Sequence, residues 1–195
     1  MFTGIITETG IVDRAARSKI VVRARNGMLQ KLSRGASISV NGACLTVVSK
    51  SRASFAADIM PETARRTILS SLRRGASVNL ELPVTPRTLL SGHIVQGHVD
   101  GIGTLKRIHM HKSDRIVTVA VPTALSRYIV EKGSIAVNGI SLTVIDARRS
   151  HFSVGIIPHT WDATMLHELS PGDTVNIEVD VLAKYVEKLI QKHSI

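Results

Sequence analysis

The segment VNGACLTV at residues 40–47 returns as VNGISLTV at residues 137–144, and this recurrence decides the fold. The spacing of 97 between Asn41 and Asn138 continues downstream: Thr63 in MPET answers Thr160 in IPHT, and Gly75 answers Gly172. VNLEL from Val78 likewise answers VNIEV from Val175. Upstream the match resumes at a shorter offset, with TGIITETGIV from Thr3 set against QGHVDGIGTL from Gln96. A period of about 95 residues is too long for a solenoid unit and suits a small domain. The 195-residue chain therefore reads as two similar domains, each able to bury a modest core. Two like domains give two like pockets, which predicts chemistry on two copies of one ligand.

In each half, short runs rich in Val, Ile and Thr alternate with Gly, Asn and Ser clusters, as in ASISVNGACLTVVS, SFAADI and ASVNLEL. These read as strands joined by tight turns. Asn41-Gly42 and Asn138-Gly139 carry the residues that a two-residue hairpin turn prefers, because both adopt positive φ cheaply. Helices are few: NGMLQKLS around residue 28, PETARRTILSSL after Pro61, PTALSRYIVEKG after Pro122 and TWDATMLHEL after Thr160. Both prolines suit a first helical turn. The pattern predicts an all-β protein with a closed or nearly closed Greek-key β-barrel in each half, which also removes exposed sheet edges. Two prolines in PVTPRTLLSGH, residues 83–93, place the boundary near residue 89, giving domains 1–89 and 90–180. Residues 181–195 add a C-terminal helix with apolar positions 181, 182, 185, 186, 189 and 190 on one side and Asp180 as its cap. That stripe either docks on its own barrel or meets copies of itself in an oligomer.

With 44% hydrophobic and 21% charged residues, the composition is that of a globular protein rather than a disordered one. Aromatics make up only 3%, so Val, Ile, Leu and Ala must fill the cores. No apolar run is long enough to span a membrane as a helix, and the start MFTGIITETG lacks a basic leader followed by an apolar stretch, which predicts a cytoplasmic protein. The single Cys44 forms no internal disulfide, in keeping with a reducing compartment. The net charge of +10 raises the question of nucleic acid. Against it, the arginines fall in scattered pairs without stacking aromatics, and LKRIHMHKSDR from Leu105 reads as a solvated hairpin. Neither a nucleic-acid nor a membrane partner is expected.

Where the halves differ while their surroundings match, specialisation is expected. Cys44 faces Ser141, Ile5 faces His98 and Glu62 faces His159, whereas Thr46 and Thr143 are kept. On a strand, positions 44 and 46 share a face, as do 141 and 143. Each barrel thus offers a thiol or hydroxyl beside a hydroxyl, suited to the carbonyl and amide edges of a polar heterocycle. A plainer role for Ser141 and Thr143 is to satisfy backbone groups near the turn, and for Cys44 to act as a small buried hydrophobe. His98 sits in SGHIVQGHVDG among glycines that let a backbone approach a ligand, and an imidazole suits proton transfer near neutral pH. His93 with His98, and His109 with His111, lack a third ligand at a recognisable spacing, so no metal is expected.

The motifs MFTGI, NGACLTV, MPET, SGHIVQGH, KGSIAVNGISLTV and IPHT, in that order, resemble the riboflavin synthase family over essentially the whole length. The resemblance implies an all-β homotrimer whose subunit holds two similar six-stranded Greek-key β-barrels in tandem, each lumazine-binding, plus a C-terminal helix. It also implies a dismutation in which two molecules of 6,7-dimethyl-8-ribityllumazine exchange a four-carbon unit, giving riboflavin and 5-amino-6-ribitylamino-uracil without a cofactor. The implied site lies between the N-terminal barrel of one subunit and the C-terminal barrel of its neighbour. By the same resemblance the first pocket is lined by Gly4, Ile5 and Ile6, by Cys44, Leu45 and Thr46, by Asp58, Ile59, Met60, Pro61, Glu62 and Thr63, and by Gly97, His98 and Val99. The second is lined by Lys132, by Ser141, Leu142 and Thr143, and by Gly155, Ile156, Ile157, Pro158, His159 and Thr160. The implied roles are His98 as proton shuttle, Ser141 and Thr143 as groups that hold and polarise the ligand or a reacting water, and Cys44 and Phe2 as positioning or accessory catalytic residues. His159 in place of Glu62 departs from the first pocket at the contact expected for the ribityl chain. A non-catalytic lumazine- or flavin-binding antenna protein is the alternative, and a basic nucleic-acid-binding barrel a weaker one; the retained Ser141, Thr143, His98 and Cys44 favour the enzyme.

Overall fold

A computed structural model describes residues 1–191. In the first half, β1 (Glu8–Ala16), β2 (Lys19–Arg23), β3 (Ser37–Val40), β4 (Ala43–Lys50), β5 (Ser54–Asp58) and β6 (Ser77–Glu81) close in the order β1-β2-β5-β4-β3-β6. The second half repeats this connectivity with β7 (Gly101–His111), β8 (Asp114–Ala120), β9 (Ser134–Val137), β10 (Ile140–Ala147), β11 (His151–Ile156) and β12 (Thr174–Val179). The helices are α1 (Asn26–Lys31), α2 (Pro61–Arg66), α3 (Thr123–Ser126), α4 (Pro158–Ala163) and α5 (Val181–Gln191). The two six-stranded Greek-key barrels and the C-terminal helix expected from the sequence are therefore present.

Aliphatic side chains fill both interiors around a single buried ring each, Phe55 in the first barrel and Phe152 in the second. Bulges fall at matching places, between Val12 and Arg14 and between Leu105 and Arg107, and again between Val47 and Ser49 and between Val144 and Asp146. A bulge bends its strand and raises its twist, which is what closing so small a barrel requires. The helix expected after Pro122 stops at Ser126. From there the chain tightens into i→i+3 turns, with Tyr128 N–H donating to Leu125 O at 3.0 Å and Ile129 N–H to Ser126 O at 3.1 Å. Positive φ at Lys132 (64°) then turns it into β9. In α5 the Leu182 N–H donates to Asp180 Oδ1 at 3.0 Å, the cap anticipated there; residues 192–195 of the anticipated helix lie outside the described residues. Among the described residues no helix is long and apolar enough to cross a membrane.

The recurrent Asn-Gly turns join the barrels as well as their own strands. Both have positive φ throughout, 45° at Asn41 and Asn138 and 79° at Gly42 and Gly139, as a type I′ turn demands. They meet tip to tip: a Cβ on Gly42 would stand 2.6 Å from Gly139 N. Around them a reciprocal amide network forms. Asn79 N–H donates to Asn41 Oδ1 at 2.7 Å and its side-chain amide to Asn138 O at 3.0 Å; Asn176 does the same to Asn138 Oδ1 at 2.8 Å and Asn41 O at 2.7 Å. These amides are buried, and each partner satisfies a group that would otherwise be stranded without water.

The segments leading into the two barrels cross over. Phe2 and Val95 pair antiparallel, with Phe2 N–H donating to Val95 O at 2.7 Å and Val95 N–H to Phe2 O at 3.2 Å. Beyond that bridge, Ser141 N–H on the second barrel donates to Gly4 O, and Cys44 N–H on the first donates to Gly97 O, both at 2.8 Å. Ile6 packs against the second core and Val99 against the first. Each barrel thus receives a strip of chain from the start of the other.

Candidate active site

On β4 the side chains of Ala43, Leu45 and Val47 face the first core, which leaves Cys44 and Thr46 on the outer wall. The same alternation on β10 turns Leu142 and Val144 inward and Ser141 and Thr143 outward. The candidate pockets accordingly lie outside the barrels, between wall and crossing strip. Close approach of the strip needs glycine: a Cβ on Gly97 would meet Cys44 Cβ at 2.6 Å, and one on Gly4 would meet Ser141 Cβ at 2.6 Å. Both glycines also have positive φ, 79° and 77°.

The first pocket is a cavity of about 440 Å³ that brings Cys44, Glu62, Thr63, Gly97, His98 and Val99 together. Sequence reasoning missed three charged residues that also line it: Arg66, Asp100 and Lys184. Lys184 reaches in from α5 to pair with Asp100 Oδ1 at 2.6 Å, while Asp100 Oδ2 accepts the Val179 N–H at 2.9 Å. Arg66 donates to Glu62 at 2.9 Å and to Asp100 O at 3.2 Å. Hydrogen bonds from Arg66 and then Arg65 hold the Glu62 carboxyl below the usual carboxylate range. The result is a thiol, a hydroxyl and an exposed imidazole rimmed by fixed charges of both signs, able to bind a polyhydroxy chain and a polar ring.

On the outer wall of the second barrel Ser141 Oγ hydrogen-bonds His93 Nδ1 at 2.7 Å. Burial pushes the His93 imidazole below 6.5, opposed by the Asp180 charge, and its Nε2 is buried with no partner among the described residues. A neutral imidazole against a serine hydroxyl can take up or return a proton at that oxygen. His93 was considered from the sequence only as half of a metal pair. The repeat offered no help, because the alignment of the halves begins at Gln96, downstream of it. Among the described residues no three His, Cys, Asp or Glu side chains are grouped so as to hold a metal ion.

Several residues assigned by motif stand elsewhere. Gly4, Ile5 and Ile6 belong with Ser141 rather than with Cys44, because the crossing strips exchange barrels. Leu45, Ile59, Leu142 and Ile156 are buried in the barrel cores, so only their backbone can face a ligand. Asp58 turns to Lys19 at 3.8 Å and lines a separate groove with Ile59. Pro61 faces another groove with Ala64, and Met60 is exposed at the head of α2. Phe2 is 1% exposed, wedged between the barrels with Val95, Ala136 and Cys44. Lys132, Ile157, Pro158 and His159 are exposed, while Gly155 and Thr160 are half-buried near the second barrel's outer wall.

A family model described as the lumazine binding domain matches residues 3–83 and, a second time, residues 96–180. The protein is thus a tandem lumazine-binding barrel protein. The riboflavin synthase of Actinobacillus pleuropneumoniae is 41% identical over 98% of this chain and 91% of its own. That of Mycobacterium tuberculosis strain H37Rv is 44% identical over 98% of both chains, and that of Bacillus subtilis strain 168 is 36% identical over 98% and 91%. The chain belongs to the riboflavin synthase family of enzymes and acts in riboflavin biosynthesis. The barrels also superpose on the crystal structure of LumP complexed with 6,7-dimethyl-8-(1'-D-ribityl) lumazine with a TM-score of 0.83, at 23% identity over 92% of this chain and 99% of LumP.

Proposed function

We propose that the chain, as a cytoplasmic homotrimer, converts two molecules of 6,7-dimethyl-8-ribityllumazine into one riboflavin and one 5-amino-6-ribitylamino-uracil. The two products together hold the atoms of the two substrates, so the exchange balances without an oxidant or net water. One pocket presents the donor of the four-carbon unit and the other the acceptor. The observation that carries this reading is the inequality of the two outer walls: Cys44 with the exposed His98 on one, Ser141 backed by the half-buried His93 on the other. Identical guests then meet different proton donors and acceptors, as a reaction between two copies of one molecule requires.

In this reading Ser141 and Thr143 hold and polarise one ring, or a water beside it. His93 keeps the Ser141 oxygen supplied with, or relieved of, its proton. His98 moves the proton of the acidic ring methyl at the first pocket, Cys44 forms the wall there, and Phe2 sets the spacing of both strips from beneath. Polarising neutral donors placed where charge develops lower the barrier most when water is shut out. The meeting of the first pocket of one copy with the second pocket of its neighbour would make an encounter of dilute molecules local, worth several of the roughly 7–11 kcal/mol available from proximity. The exposed apolar side chains Leu182, Tyr185, Val186 and Ile190 of α5 support assembly with further copies. The test is turnover by the purified chain given the lumazine alone. One riboflavin per two lumazines consumed is expected, and tight binding without riboflavin would overturn the reading.

A further inference from the structure

The repeated VNLEL and VNIEV segments carry two carboxylates, Glu81 and Glu178, that the mechanism above does not use. Alternation along β6 and β12 would send them to solvent, yet both are buried, at 4% and 3% exposure. Their oxygens explain why. Glu178 Oε1 accepts the Gln96 N–H at 2.7 Å and Oε2 the Gly97 N–H at 3.0 Å. Glu81 repeats the grip with Thr3 N–H at 2.7 Å and Gly4 N–H at 3.0 Å, and takes the Thr3 hydroxyl at 2.8 Å. Two successive amides converging on one anion form a backbone nest, a geometry that the positive φ of Gly97 and Gly4 makes possible.

The carbonyls of the same two glycines touch the candidate catalytic strands. Gly97 O takes the Cys44 N–H and Gly4 O the Ser141 N–H. Gly97, through its N–H and its C=O, therefore links Glu178 of the second barrel to Cys44 of the first, and Gly4 likewise links Glu81 of the first barrel to Ser141 of the second. We propose that Glu81 and Glu178 are positioning residues for the reaction, each fixing from its own barrel the strip that shapes the pocket on the other. The inference rests on the reading of the two pockets given above. Burial raises both carboxyls above the usual range, Glu178 to about 7, against the pull of the amides. Lys184 and Asp100 face Glu178, and the chain's amino terminus faces Glu81.

The grip needs two acceptor oxygens. A glutamine keeps the shape but offers one acceptor and turns an N–H toward an N–H, at the cost of a charge-assisted bond. Glu178→Gln, Glu81→Gln and Glu178→Asp are compared with wild type as full chains in three measurements: thermal unfolding, steady-state riboflavin formation from 6,7-dimethyl-8-ribityllumazine, and modification of Cys44 by an aromatic disulfide. Because Cys44 is the sole cysteine, the last measurement reports the first pocket alone. Both glutamine variants are expected to unfold cooperatively yet lose about tenfold or more in kcat with a smaller change in KM. Glu178→Gln should change the Cys44 rate by about threefold or more while Glu81→Gln leaves it unchanged, and Glu178→Asp should recover part of the lost kcat. Wild-type kcat in Glu178→Gln, or equal Cys44 rates in both glutamine variants, would overturn the proposal. If wild type itself makes no riboflavin, the functional reading fails, and the Cys44 rates still decide the positioning role. If Glu178→Gln does not fold, Glu178→Asp decides it by the same Cys44 rate against Glu81→Gln.

Discussion

Ser141 Oγ and His93 Nδ1 lie 2.7 Å apart although the two residues come from unlike places, one from a barrel wall and the other from the linker between barrels. The linker that follows β6 carries His93 to the second barrel, and the helix that follows β12 carries Lys184 to the pocket of the first. Duplication made the walls alike; the segments after each last strand made the covers different. That is the physical origin of the unequal surroundings of Cys44 and Ser141.

If His93 acts through Ser141, the two should behave as a unit. Ser141→Ala and His93→Gln are each expected to lower kcat by about 10²-fold or more, and the double variant should be little worse than either single one. Steady-state kinetics on the four proteins of this cycle check it. Losses that simply multiply would separate the two residues.

Stability should respond to pH with opposite signs at the two buried sites. His93 is held below 6.5, so just under that pH the unfolded chain binds more protons than the folded one. Relative to His93→Gln, wild type therefore loses stability as pH falls through 6.5. Glu178 is raised from 4.5 to about 7, so between those values the folded chain binds the extra proton. Relative to Glu178→Gln, wild type is most stable at pH 4.5 and below and loses that margin as pH rises to about 7. Urea unfolding of each pair across this range reads the signs directly. A margin that grows with pH for Glu178 would mean that the two amides outweigh burial and that the carboxyl is not raised.

The amide network predicts a matched pair of lesions. Asn79→Ala strands the Met165 N–H and Asn138 O, and Asn176→Ala strands the Ile68 N–H and Asn41 O. Each should cost about 1–3 kcal/mol, the penalty for a buried polar group left without a partner. Chemical denaturation measures both. Costs below about 0.5 kcal/mol, as at an ordinary surface site, would mean that the network does not hold the barrels together.

Much of this is legible in the sequence. Strand-and-turn patterning around Asn41-Gly42 and Asn138-Gly139 announced twin barrels, and period-two alternation put Cys44 with Thr46 and Ser141 with Thr143 on shared faces. What alternation could not reveal is that an outer face is covered. Asn79 and Glu81 look like a solvated edge of VNLEL, yet Asn79 is buried against Asn138 and Met165 of the second half and Glu81 beneath the strip at Thr3 and Gly4. Nor can a repeat alignment show exchange. Gly4 aligns with Gly97, which suggests that each serves its own half, whereas each is bonded to the other half's wall. His93, Arg66 and Lys184 escaped because they reach their sites from segments without a counterpart, or with a different residue, in the other half.

The central claim is that the reaction joins the first pocket of one copy to the second pocket of another, and mixing two disabled chains tests it most directly. His98→Ala disables the first pocket and Ser141→Ala the second, and each alone should be nearly inactive. After denaturation together and refolding, with mixed assemblies verified by native mass spectrometry, activity should return to about a quarter of the wild-type level per interface, the chance that two intact pockets face each other in a random closed oligomer. Mixed assemblies as inactive as their parents would contradict the account.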